Sequence, residues 1–270
     1  MIKAFISDID ETILTDGNEF ASKEVETALL SLQQKEITLI LATARGFSGT
    51  KKLMEQFQME KYGGYIVCSN GSYIFDCQKK LNLYKATISM EIVEELYEFS
   101  KEYDLHMSSE LANYTVISAY DEAIEFDWKV VGVDFFLPGN LYLEAISEEP
   151  FKIAFTYNKE RLASILPLVE ETFGEKLTVQ LSMDVYIDLV PFGITKASGI
   201  KRILDLLGYQ ASEIAAIGDG NNDIPMFQLA GISAAVENAS DMVKEYVDVI
   251  VSSCAENGVA EFAEQVWNTN

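Results

Sequence analysis

The chain has 270 residues, with 43 acids against 20 bases for a formal charge of −23, 49% hydrophobic residues and one histidine, His106. That length holds one large or two ordinary domains, and the composition is that of a globular protein with enough apolar material for a core. A lone histidine excludes a His-clustered zinc site and leaves any Ser-His-Asp triad to rest on His106, while the negative charge makes nucleic acid and membrane surfaces poor partners.

In chain order, residues 2–7 (IKAFIS) read as a short apolar strand stopped by Asp8. Residues 22–35 place Val25, Leu29 and Leu32 at helical spacing behind Ser22, a suitable N-cap. ITLILAT (37–43) and YIVCS (65–69) read as two more buried strands, the second ended by Asn70-Gly71. Apolar runs separated by amphipathic helices predict a parallel sheet covered on both faces. The middle reads differently: a helix at 90–102, strands at 105–109 and 114–118, a helix at 120–130 and FKIAFTY as a strand at 151–157. A helix at 159–172 and the strands LTVQLS and VYIDLV follow, with Met183-Asp184 as the turn between them. The alternating pattern then resumes with a helix at 200–207, the strand 214–218, a helix opening at Pro225, and the strands ISAAV and VDVIVS.

The expected fold class is therefore α/β, a Rossmann-like parallel-sheet core with an inserted α+β domain. The core is expected over 1–83 and 188–270, and the insertion over 84–187. The insertion carries 20 acids against 7 bases, a net of −13. Cys68, Cys77 and Cys254 are odd in number and form no CxxC pair, which fits a reducing compartment. The opening residues lack a signal-peptide pattern, and the run ITLILATA is far shorter than a membrane span of ~20 residues, so a cytoplasmic protein is expected.

Four short motifs carry chemistry. Asp8-Ile9-Asp10-Glu11-Thr12 lies where the first strand ends, and strand alternation predicts that Asp8 and Asp10 point the same way. That edge is where ligands bind in open α/β sheets, and paired carboxylates with substrate phosphate oxygens suit Mg²⁺. A lone DxD is more often a polar turn than a metal site. The same applies to Gly218-Asp219-Gly220-Asn221-Asn222-Asp223, yet it too follows a buried strand and opens a helix. Two acidic clusters at the ends of two such strands are far less expected by chance than one. Thr43-Ala44-Arg45 ends another strand, where a hydroxyl, backbone N–H groups and a guanidinium suit a phosphate and a helix-capping threonine equally well. Lys196 precedes a helix, where an ammonium would pair with the carboxylates and with a phosphoryl group.

Together and in this order the motifs resemble the haloacid dehalogenase-like (HAD) superfamily, and within it the Cof-type phosphatases. Its DxDGT motif is met here as Asp8-Ile9-Asp10-Glu11-Thr12, its strand-terminal threonine as Thr43 and its lysine as Lys196. Its GDGxND motif followed by IPM is met letter for letter at 218–226. The resemblance implies a hydrolase acting on a phosphate ester, with Asp8 as nucleophile and Asp10 as general acid and base. It further implies Mg²⁺ held by Asp8, the Asp10 carbonyl and Asp219, with Asp223 in the outer shell. Thr43, Lys196, Asn222 and the N–H groups of Ile9 and Ala44 would hold the phosphoryl oxygens, and Arg45 is a further candidate for substrate contact. Two departures stand out. Glu11 replaces the usual glycine, which adds charge near the phosphate, and Ala197 follows Lys196 where glycine is common.

The partner expected from this is a small phosphorylated metabolite such as a sugar phosphate, acted on by a monomer or weak homodimer, with no nucleic acid or membrane involved. The alternatives are a non-catalytic sugar-phosphate sensor on the same scaffold, a phosphoacceptor receiver domain and a phosphoglucomutase-type transferase. The inserted domain and Asp10 argue against a receiver. In the insertion, Tyr114, Trp128, Phe135, Phe136 and Tyr186 are expected mostly in a core, and His106 is expected to be structural.

Overall fold

A computed structural model describes every residue except Asp16, Met183, Asp184 and Asn270. Its strands are β1 (Ala4–Ser7), β2 (Thr38–Ala42), β3 (Tyr65–Cys68), β4 (Tyr73–Asp76), β5 (Leu81–Lys85), β6 (His106–Glu110) and β7 (Thr115–Ile117). They continue as β8 (Phe135–Phe136), β9 (Lys152–Thr156), β10 (Leu177–Ser182), β11 (Tyr186–Pro191), β12 (Ile214–Gly218), β13 (Ile232–Val236) and β14 (Val249–Val251). Two sheets result, in the orders β14-β13-β12-β1-β2-β3-β4-β5 and β10-β11-β9-β6-β7-β8. The chain divides into two compact units: Met1–Ala44 with Thr50–Tyr84 and Thr195–Asn270, and Arg45–Gly49 with Lys85–Ile194.

The first unit is a parallel α/β fold. Strand β1 pairs in parallel with β12 (Ala4↔Ile214) and with β2 (Ala4↔Thr38), so the carboxyl ends of these strands share one edge. Alternation sends Ala4 and Ile6 to one face and Phe5 to the other. Ile200, Ile203 and Leu204 of the helix Lys196–Leu207 cover the first face. On the other, Phe262 of the helix Gly258–Thr269 meets Phe5 with ring centroids 5.6 Å apart. Both faces being dry explains why these strands read as largely apolar runs. The helix Lys23–Gln34 begins where Ser22 predicted: its side chain accepts from the Val25 N–H, and Val25, Leu29 and Leu32 are buried. Strands β4 and β5 escaped the sequence reading. The turn between them places Lys80 at φ 54° and carries no glycine or proline to mark it.

In the second unit, the helices Met90–Glu102 and Lys159–Phe173 bury Val93, Leu96, Leu162 and Val169 with Phe155, Ile187 and Leu189 of the sheet. Strand β11 pairs antiparallel with β9 and β10, so this unit runs to Ile194 rather than ending at 187. The residues Arg45–Gly49 also group with it, outside the expected 84–187. The helix expected at 120–130 is divided into the α-helix Glu122–Phe126 and a π-turn over Asp127–Val131, closed by Gly132 at φ 78°. Trp128 and Phe136 are each 52% exposed rather than in a core. His106 Nδ1 lies 2.7 Å from Asp121 Oδ2, a structural pairing. The expected turn Met183-Asp184 lies outside the described residues.

All three cysteines are buried thiols outside any disulfide. Among the described residues, no helix is long and apolar enough to cross a membrane.

Candidate active site

The site is assembled from strand ends and helix starts of the first unit. The Asp8 N–H donates to Ile217 O at 3.0 Å, extending the β1–β12 pairing by one residue. The regular strand then stops, and the Ile9 carbonyl accepts from the N–H groups of Ile13 (2.8 Å) and Leu14 (2.9 Å). The chain therefore leaves the strand through a tight turn just after Asp8. Asp8 is buried and Asp10 half-buried. Glu11 adopts φ 56°, the left-handed region that glycine enters freely and other residues seldom enter.

Lys196 is the first residue of its helix rather than the residue before it. Thr195 is the N-cap, with its hydroxyl accepting from the Ser198 N–H and the Ser198 hydroxyl accepting from the Thr195 N–H. This reciprocal cap fixes the first turn, and the Lys196 ammonium is buried between Asp8 Oδ1 (2.8 Å) and Asp223 Oδ1 (2.9 Å). The other Asp223 oxygen accepts from the N–H groups of Asp219 (3.1 Å) and Gly220 (3.0 Å). Gly218 permits this closeness, because a Cβ there would stand 2.5 Å from Asp223 Oδ2. Thr12 Oγ1 donates to Asp219 Oδ1 at 2.6 Å, tying the Asp8 turn to the end of β12.

Asp8, Asp219 and Asp223 each offer a carboxylate oxygen, all within 4.8 Å of one another. Burial raises the Asp8 carboxyl well above its ordinary range, and the Asp223 charge adds to this against the pull of Lys196. Burial and Asp223 likewise push Asp219 up to about 7. Burial alone would lower the Lys196 ammonium, but Asp223 and Asp8 outweigh it and hold that group above its ordinary value. Two buried carboxylates and one half-buried, once all are ionised, leave two negative charges against the one ammonium, the charge a divalent cation neutralises, and hard oxygen donors suit such an ion.

Thr43, buried, and Ala44, half-buried, follow β2. Thr43 is held by its N–H to Val67 O (2.9 Å) and by its carbonyl, which accepts from the Asn70 N–H (3.1 Å). Asn222 reaches Asn70 Oδ1 through its amide at 3.5 Å. The first unit thus holds Asp8, Ile9, Asp10, Thr43, Ala44, Lys196, Asp219, Asn222 and Asp223, whereas Arg45 falls in the second, with Nη1 3.3 Å from Gly49 O. Sequence reasoning gave Thr12 no role. Its position in the first motif was the available signal, but its partner lies 207 residues away.

A family model described as haloacid dehalogenase-like hydrolase matches residues 5–262. The crystal structure of a haloacid dehalogenase-like hydrolase from Bacteroides thetaiotaomicron superposes with a TM-score of 0.90 at 26% identity, covering 98% of this chain and 100% of that one. Two phosphatases of Bacillus subtilis (strain 168), both named 5-amino-6-(5-phospho-D-ribitylamino)uracil phosphatase, are also similar. One is 25% identical over 96% of this chain and 94% of its own length. The other is 22% identical over 97% of this chain and 96% of its own.

Proposed function

The chain belongs to the haloacid dehalogenase-like hydrolases, and from that premise we propose that it is a Mg²⁺-dependent phosphatase of a small phosphorylated metabolite, working through an aspartyl-phosphate on Asp8. The observation that carries this reading is the buried Lys196 bridging Asp8 and Asp223 inside an acidic cluster two charges short of balance. Asp8 and Asp219, with the Asp10 backbone carbonyl, would hold Mg²⁺. Both Asp223 oxygens accept protein donors, which supports its outer-shell role. The bound cation supplies positive charge that lets an anionic carboxylate approach an anionic ester.

An Asp8 oxygen attacks phosphorus and forms an O–P bond as the ester O–P bond breaks, while Asp10 gives its proton to the leaving oxygen. Asp10, now a carboxylate, then takes a proton from water. The resulting hydroxide attacks phosphorus, Asp8 leaves as carboxylate, and inorganic phosphate and the protonated Asp10 are restored. Thr43, Lys196, Asn222 and the N–H groups of Ile9 and Ala44 orient the phosphoryl oxygens, and Lys196 balances charge that grows as phosphorus is attacked. Selection among esters is assigned to the second unit as the inserted domain, with Arg45 a candidate contact. Its excess of acids disfavours diphosphates.

The test is phosphate release from a panel of phosphorylated metabolites, including 5-amino-6-(5-phospho-D-ribitylamino)uracil and sugar phosphates. Release should need Mg²⁺ and vanish in Asp8→Asn. An active Asp8→Asn protein would overturn the mechanism, and bisphosphates giving the highest kcat/KM would overturn the charge argument.

A further inference from the structure

Asn238 lies in none of the motifs, follows β13, and is exposed. Both ends of its side-chain amide are nevertheless engaged. Its Nδ2 donates to the Glu11 carbonyl at 2.8 Å, and its Oδ1 accepts from the Cys254 N–H at 2.8 Å. The second bond fixes which way the amide faces, because a backbone N–H can only donate. Cys254 stands just after β14, so a chain of hydrogen bonds crosses from β14 through β13 to the turn that follows β1, with β12 between. The Cys254 thiol feels that turn directly: burial, then the charges of Glu11, Asp219 and Asp10, push it up to about 12.

The Glu11 carbonyl is a consequential atom to hold. Glu11 adopts a left-handed conformation that few non-glycine residues occupy, and its N–H donates to Leu14 O at 2.8 Å. With both the N–H and the carbonyl of one residue pinned, its φ and ψ are fixed. The peptide that carries the Glu11 N–H also carries the Asp10 carbonyl, so the direction of that carbonyl is set by the same restraint.

We propose that Asn238 is a positioning residue that locks the Glu11 peptide in its left-handed conformation and thereby aims Asp10, the group assigned to proton transfer. This rests on the phosphatase reading above. It explains how a residue other than glycine is accommodated at position 11: the anchor supplies from outside the turn the restraint that offsets the unfavourable backbone.

The experiment measures kcat and KM for p-nitrophenyl phosphate with Mg²⁺ in the wild type, Asn238→Ala, Asn238→Asp, Glu11→Gly and the double variant Asn238→Ala/Glu11→Gly. Asn238→Ala loses both bonds; loss of the Glu11 bond is expected to lower kcat by about tenfold, with KM within twofold and a thermal midpoint lowered by only a few degrees. Asn238→Asp keeps the shape and the Cys254 bond but turns a carboxylate oxygen toward the Glu11 carbonyl, so its kcat should fall further. Glycine enters the left-handed region without help, so the Asn238→Ala loss should shrink to threefold or less in the Glu11→Gly background. A merely structural role would not produce that suppression. Amide exchange at Glu11, measured without substrate, should accelerate in Asn238→Ala. A wild type that releases no phosphate overturns the phosphatase reading, and exchange alone then decides the locking role. An active wild type with an undiminished Asn238→Ala kcat, an equal loss in both backgrounds, or unchanged exchange overturns the present inference.

Discussion

Lys196→Met removes the ammonium from a pocket where it meets Asp8 at 2.8 Å and Asp223 at 2.9 Å, with all three residues buried. Removing one partner of a buried ion pair costs about 3–5 kcal/mol, because the remaining charges stay desolvated. The methionine fills much of the lysine stem's volume, so the cavity contribution is small and about 3 kcal/mol is expected in EDTA. Taking a urea slope of about 3 kcal/mol per M for a chain of this size, the unfolding midpoint should drop by ~1 M. The chain has two tryptophans, Trp128 in the second unit and Trp267 in the first. In a Trp128→Phe background, Trp267 fluorescence reports on the first unit alone, and the Lys35 ammonium 3.5 Å from its ring centroid makes it sensitive to unfolding. Adding Asp8→Asn removes one of the stranded charges and should restore at least ~1 kcal/mol. A midpoint shift below ~0.3 M, or a double variant no more stable than Lys196→Met, would refute the charge-balance argument.

Asp10→Asn should lower kcat by ~10²–10⁴-fold with the fold intact, as loss of a general acid and base does; rates near wild type would remove Asp10 from the mechanism. Asp127 in the second unit is pushed up to about 7, chiefly by burial, against the pull of Lys152 and the hydrogen bond from Tyr186. The folded state therefore keeps a proton that the unfolded chain loses near pH 4, so the stability from this group is complete below pH 4 and is lost as pH rises to 7. Asp127→Asn should gain on the wild type between pH 5 and pH 8 by about 2 kcal/mol or less, since water reaches the half-buried carboxyl; urea unfolding at both pH values checks this, and a constant gap would contradict it. Gly199→Ala would bring a Cβ 2.6 Å from Val67 Cγ1 and 3.1 Å from Gly71 Cα. A stability loss of about 1–3 kcal/mol and a raised KM are expected as the Lys196 turn shifts, and unchanged urea unfolding and KM would show that the turn absorbs the methyl.

The strands that carry the site were legible because a parallel strand buried on both faces is written as a largely apolar run, and a polar residue follows its end, as at Asp8 and Thr43. What failed depended on juxtaposition rather than local pattern. The Thr12–Asp219 and Glu11–Asn238 bonds join residues 207 and 227 positions apart, with nothing in either neighbourhood to announce the other. In the second unit the two-residue strand β8 and the π-turn over Asp127–Val131 are too short and irregular for any period to register.

The order β12-β1-β2 also sets a timetable. Strand β1 finds β2 some 30 residues later, but its other neighbour, β12, is not synthesised until residue 214. The strand that presents Asp8 therefore emerges with one open edge, and that edge stays open while the whole run Lys85–Ile194 is made. This distant pairing is slow to form and is exposed to wrong partners in the meantime. Prior folding of the inserted run shortens the effective loop and lowers the entropy that closing β1 onto β12 must overcome. The strand that presents Asp8 is made long before its β12 partner and is among the last to be completed.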